Sequence, residues 1–124
     1  MSGSACAAGM TPFEKETMAH INKFRSENGL GPLAFDGRLQ SLAHGHSEWM
    51  YLNRSFGHQD FMSRHKKSGR RGCGENVGLN SRTPYEQFVG WRDSSGHRKI
   101  MLDNKFRYAG VSKVGAYVTF FACD

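Results

Sequence analysis

The C-terminal stretch FRYAGVSKVGAYVTFFACD, Phe106 to Asp124, alternates apolar and polar side chains on either side of a turn near Val114 and Gly115. A period of two belongs to strands with one buried face, so a terminal β-hairpin is expected. Upstream the pattern changes. TPFE at Thr11 to Glu14 and TPYE at Thr83 to Glu86 each place Thr at an N-cap, Pro at the first helical position and Glu two residues further on. A carboxylate there can accept a free backbone N–H, so both segments read as helix starts.

The first helix is expected from Pro12 to about Asn28, with Phe13, Thr17, Ile21 and Phe24 on one face and Gly29 as its left-handed stop. Asp36 is the N-cap expected for a second helix, to about Arg54, where Leu39, Leu42, Ala43, His46 and Asn53 recur at helical spacing. His46 reads as a structural core histidine. Residues 55–71 read as a long polar and basic loop, Glu75–Leu79 as a short central strand, and Pro84–Arg92 as a helix. DSSGHRKIML suggests one more helical turn, capped by Ser94 or Ser95, with Ile100, Met101 and Leu102 buried. Helices segregated from antiparallel strands define an α+β domain.

A chain of 124 residues supports one core, expected over residues 11–124 behind a flexible N-terminus at 1–10. No run is apolar enough for a transmembrane helix. MSGSACAAGM lacks the charged and apolar regions of a signal peptide, yet its small residues suit a mature N-terminus left after a leader is removed.

The net charge is +6, and SRHKKSGRR concentrates cations without an acid. It reads either as a solvated loop or as a contact for an anionic surface through Arg64, Lys66, Lys67, Arg70 and Arg71. Nucleic acid ranks last, because no helix-turn-helix, zinc-finger spacing or aromatic platform accompanies the charge. Three cysteines, none in a C-x-x-C pair, argue against a zinc ribbon or thioredoxin-type site. The leading reading is a Cys73–Cys123 disulfide between two strand-like segments, with Cys6 free; three reduced thiols in a cytosolic protein is the alternative.

GCGENVGL, Gly72 to Leu79, sets a carboxylate and an amide among glycines and apolar residues. Alternation puts Glu75 on the same side as Cys73, Val77 and Leu79, facing a core or a cavity. With His58 in FGHQD and His97 in SSGHRK, it completes a set of two imidazoles and a carboxylate that could hold Zn²⁺ with a fourth position open.

The succession NKFRSENGLGPLAFDGRLQSLAHGHSEWM, FGH, GENVG, FVGWRDSSGHRKIML and YAGV…YVTFFA resembles the CAP superfamily. This group comprises the cysteine-rich secretory, antigen 5 and pathogenesis-related 1 proteins, and its domain is also called SCP. The resemblance spans Phe13 to Ala122. It implies an α-β-α sandwich with a small antiparallel central sheet, in a secreted protein expected to act as a monomer.

In larger members the cleft holds two His and two Glu, and the His pair can bind a divalent metal, often zinc. By position His58, Glu75 and His97 match, while the second Glu falls at Ser94, as in shorter microbial-type members. Asn76 and Ser94 are the further cleft-lining candidates, Asn76 by bonding loop backbone. Glu75 then either orients an imidazole for metal or pairs with a core His or Arg and pins the sheet to a helix.

The resemblance further implies binding of a lipid, a sterol or another extracellular target in a defence, virulence or toxin-like role. The alternatives are a metal-dependent hydrolase or protease, in which His58, Glu75 and His97 would be catalytic, and a protein-interaction scaffold with a vestigial cleft. No G-x-S-x-G elbow or HExxH helix is present, so catalysis ranks below binding.

Overall fold

The computed structural model describes residues 9–124. The expected free thiol, Cys6, lies outside the described residues. Helix α1 is Pro12–Glu27, β1 is Ala34–Phe35, α2 is Gly37–Asn53 and α3 is Phe61–Ser68. They are followed by β2 (Cys73–Leu79), α4 (Pro84–Arg92), α5 (Ser95–Met101), β3 (Tyr108–Val114) and β4 (Tyr117–Cys123).

The helix starts arise as the sequence predicts. At α1, Thr11 Oγ1 accepts the Glu14 N–H while Glu14 Oε1 accepts the Thr11 N–H, a reciprocal capping box. Thr83 and Asp36 cap α4 and α2 by accepting the N–H groups of Glu86 and Leu39. Gly29 takes φ 76° just past the end of α1.

The sheet runs β1-β3-β4-β2. β4 pairs antiparallel with both β3 and β2, whereas the two-residue β1 lies parallel to β3, so the sheet is mixed rather than purely antiparallel. β2 is an edge strand and not the expected central one: the hairpin places β4 between it and β3.

Alternation along β4 separates two cores. Val118, Phe120 and Ala122 join Met18, Ile21, Phe88, Trp91 and Met101 on the face covered by α1, α4 and α5. Phe121 and Cys123 join Leu39 and Ala43 on the face covered by α2. Each large apolar side chain buried this way contributes roughly 1.5–3 kcal/mol, so both helical layers are held by the same strand. Cys73 and Cys123 face each other in register and form the expected disulfide.

β1 covers only two residues of β3, and side chains satisfy the edge beyond it. Gln40 donates to Val111 O at 2.7 Å and accepts the Val111 N–H at 2.8 Å, and Glu14 Oε2 accepts the Lys113 N–H. Arg25, almost fully buried, ties α1 to the segment before β3 by donating to the carbonyls of Gly31, Met101, Asp103 and Phe106.

The expected loop at 55–71 contains α3. Its inward positions, Phe61, Arg64 and Ser68, are helically spaced but mostly polar, which hides the helix from apolar periodicity. Phe61 packs edge-on against Phe121, and Gly69 ends the helix at φ 72°. Of the three residues expected to be buried in α5, Met101 is fully so and Ile100 and Leu102 are half-buried.

Candidate functional site

Glu75 points from β2 toward the α2 and α3 layer, only 6% exposed. Arg64, also 6% exposed, closes on it with two bonds, Nε to Oε1 at 2.7 Å and Nη2 to Oε2 at 2.8 Å. The third nitrogen, Nη1, donates to Gln59 O at 2.6 Å. Arg64 therefore belongs to the interior and not to the basic surface predicted for it. A planar guanidinium matches both carboxylate oxygens at once, which makes this the strong form of an ion pair.

Two histidines complete the cluster. His58 Nδ1 lies 2.8 Å from Glu75 Oε2, with the ring about half exposed. An ionised carboxylate only accepts, so Nδ1 is the donor in this bond. His46 is buried, 4.0 Å from the same oxygen through Nε2, which donates to Gly57 O at 2.7 Å. Burial in the first place, then the nearby charge of Arg64, depresses the His46 pKa against the opposing pull of Gly57 O and Glu75. His46 is thus a neighbour of the candidate site, which helical spacing alone left as a core residue.

His97 stands in the other layer, on α5. Its Nδ1 lies 2.8 Å from Ser94 Oγ. Ser94 stands at the N-cap of α5 yet makes no side-chain cap bond; its hydroxyl is turned to the imidazole instead. Burial and then the proximity of His58 lower the His97 pKa. Asn76, fully buried on the α4 and α5 face of β2, donates to His97 O at 3.0 Å and so fixes α5 on the strand. Trp91 does the same for α4 by donating to Val77 O.

Gly74 and Gly78 permit that approach. A Cβ on Gly74 would lie 2.9 Å from Ile100 Cδ1, and one on Gly78 would lie 2.1 Å from Gln87 Oε1. Glycine in an edge strand here marks direct helix-on-strand packing. His58 and His97 consequently flank β2 from opposite faces of the sheet.

Each of the two imidazoles has its Nδ1 engaged, by Glu75 or by Ser94, and among the described residues neither Nε2 has a hydrogen-bond partner. That is the arrangement in which outer groups orient histidines for a metal. Among the described residues, however, no three His, Cys, Asp or Glu converge as a ligand set. Two imidazole donors fall short of the three protein ligands usual at catalytic zinc.

Of the remaining predicted basic contacts, Lys66, Lys67 and Arg71 are exposed and Arg70 is half-buried over the Tyr108 ring. Arg70 and Arg71 stand with Asp124 at the end of the sheet where β2 begins, whereas Lys67 shares a pocket with His46, Gln59 and Arg64.

An α-β-α sandwich on a four-stranded sheet defines the class, and the comparisons agree with that fold. The chain belongs to the CAP family, described as the cysteine-rich secretory protein family, whose profile matches residues 18–124. It is 30% identical to YkwD of Bacillus subtilis over 119 residues, 90% of this chain and 46% of that protein.

A crystal structure of an extracellular SCP-domain protein from Bacillus anthracis is similar at a TM-score of 0.80 and 28% identity, covering 93% of this chain and 44% of that one. An outer surface protein of Borrelia burgdorferi shares the fold at a TM-score of 0.82 and 16% identity, over 89% and 90% of the two chains. The chain spans less than half the length of the curated relatives it matches. No helix among the described residues is long and apolar enough to cross a membrane.

Proposed function

We propose that this CAP domain is a secreted binding module rather than an enzyme, its ligand seated beside His58 and His97. The observation that carries this reading is the closure of Arg64 on both oxygens of Glu75. A general base needs a carboxylate free to take a proton from water within reach. Glu75 is committed to Arg64 and His58, which supports a positioning role for it and weighs against metal-assisted hydrolysis.

The ligand is apolar, a lipid, a sterol or the apolar patch of an extracellular target. Trp49, Leu52, Phe56 and Met62 are large and exposed, and all four come from the chain segment around His58. Exposed hydrophobics concentrated in this way mark interaction sites. His58 and His97 take a divalent cation such as Zn²⁺ weakly through their two Nε2 atoms, as an accessory to binding. A protein-interaction scaffold is the case in which the ligand is another protein and the cation is dispensable.

Native mass spectrometry of the secreted protein, with and without chelator, tests this. A lipid-mass adduct that is reduced when Leu52 and Phe56 are replaced by Ser supports apolar binding, and a chelator-sensitive adduct abolished in H58A/H97A supports the cation contact. Bare protein under every condition, with no capture of liposomes or sterol, would overturn it.

A further inference from the structure

At one end of the sheet, where β2 begins and β4 ends, the turn after α3 and the loop before β3 enclose a shallow pocket. Its lining is Gly69, Arg70, Arg71, Lys105, Arg107 and Asp124. Four of the six residues are cationic, and they come from segments more than thirty residues apart, a convergence that composition alone does not reveal.

The cations differ in how they are engaged. Arg70 is rigid: it lies 4.2 Å over the Tyr108 ring, donates to Asp36 Oδ2 at 3.0 Å and reaches Asp124 O at 3.4 Å. Arg107 spends Nη1 on the carbonyls of Asn104 and Phe106. Lys105 is 3.9 Å from Asp103, a contact at the limit of an ion pair. Among the described residues the Arg71 guanidinium has no acceptor, and its backbone N–H donates to Asp124 Oδ1, the one side-chain carboxylate on the lining.

Behind Arg107 stands the buried Arg25, whose partners are four carbonyls and no carboxylate. The positive charges of Arg25 and Arg107 repel each other, the second cause after burial for the lowered Arg25 pKa. Cations gathered in a concavity, with their few acids already engaged, focus a positive field that water only partly screens. Arg71, Lys105 and the outer nitrogens of Arg107 remain as donors, the fork and point-charge combination suited to a tetrahedral oxyanion.

We propose that this pocket is a binding site for a phosphate group, free or borne on a lipid headgroup, separate from the His58 and His97 cleft. The rigid Arg70 sets one wall, and Arg71, Lys105 and Arg107 close on the anion from the other sides. The site goes beyond the binding role assigned to the cleft and uses none of its residues.

The test uses the whole chain in two arms. Inorganic phosphate is titrated by amide NMR, and vesicles of phosphatidylcholine with and without phosphatidic acid are used for co-sedimentation. The expected result is saturable shifts confined to residues 69–72 and 105–107, weakened by salt. The exposed double variant R71Q/K105Q should bind roughly tenfold more weakly, the loss of about one charge-assisted hydrogen bond, while K15Q on α1 binds as the parent does.

Saturation by phosphate alone identifies a free anion as the ligand. Co-sedimentation that needs phosphatidic acid and is lost in R71Q/K105Q, with only weak phosphate binding, identifies the headgroup. Shifts scattered over all the lysines and arginines, or equal binding by the double variant in both arms, would overturn the proposal. The phosphate arm and its loss in R71Q/K105Q read this pocket alone, so failure here is distinct from failure of the cleft.

Discussion

Arg64 on α3 and Glu75 on β2 share two hydrogen bonds of 2.7 and 2.8 Å inside the protein, with both side chains shielded from solvent. The pair joins a helix to an edge strand and holds the ring of His58 through the same carboxylate. Removing one partner leaves the other charged and buried, which is costlier than never having the pair. Arg64→Met is expected to lose about 3–5 kcal/mol in urea unfolding, and Arg64→Met with Glu75→Leu to recover much of it. A double variant no more stable than the single would show that the uncompensated charge is not the origin of the loss.

The Cys73–Cys123 disulfide spans 50 residues between paired strands. Closing a loop of that length in the unfolded chain is worth about 4 kcal/mol at 25 °C by chain entropy. Reduction, or Cys73→Ser with Cys123→Ser, should therefore lower the urea midpoint strongly while leaving the circular dichroism of the folded form unchanged. Equal midpoints with and without reductant would remove the bridge from the account of stability.

His46 gives stability a pH dependence. It is buried against Glu75, Arg64, His58 and Gly57 O, and its folded pKa is pushed below the roughly 6.5 of an unfolded histidine. Above about pH 6.5 both states are neutral and the full stability is present. As pH falls through that value the unfolded chain binds the proton first, so stability declines until the lowered folded pKa is passed. His97, shifted the same way by burial and His58, adds to the slope. Unfolding free energies measured from pH 8 to 5 should fall, and less steeply in His46→Gln; parallel slopes for the two proteins would exclude His46 as the source.

Gly110 and Gly45 should respond oppositely to alanine. A Cβ on Gly110 would lie 2.5 Å from the Cα of Gln40, backbone that cannot swing aside, whereas nothing lies within 4 Å of one on Gly45 inside α2. Gly110→Ala is expected to cost about 1–3 kcal/mol by forcing α2 off β3. Gly45→Ala should add about 0.5–1 kcal/mol of helix stability. Thermal unfolding of the two variants checks both signs at once.

Much of this molecule is legible in local pattern. Thr11 and Thr83 with their following Pro and Glu mark α1 and α4, and alternation from Tyr108 to Cys123 marks the hairpin, because capping and strand period act within a few residues. The motifs around His58, Glu75 and His97 were enough to point to the family. α3 is not legible in apolar periodicity although Phe61, Arg64, Ser68 and the Gly69 stop carry a helical spacing, since its buried face is polar.

What the sequence by itself determined is thus the family, the fold class and the elements that carry local signals, α3 and β1 excepted. Only the tertiary structure decided who faces whom. It moved Arg64 from a basic surface to the partner of Glu75, brought His46 within 4.0 Å of that carboxylate, and put β2 at the sheet edge. It also gathered Lys105 and Arg107 beside Arg71. The reason is physical: a buried charge is tolerated only where an opposite charge and donors from distant segments arrive together, and no local period records that meeting.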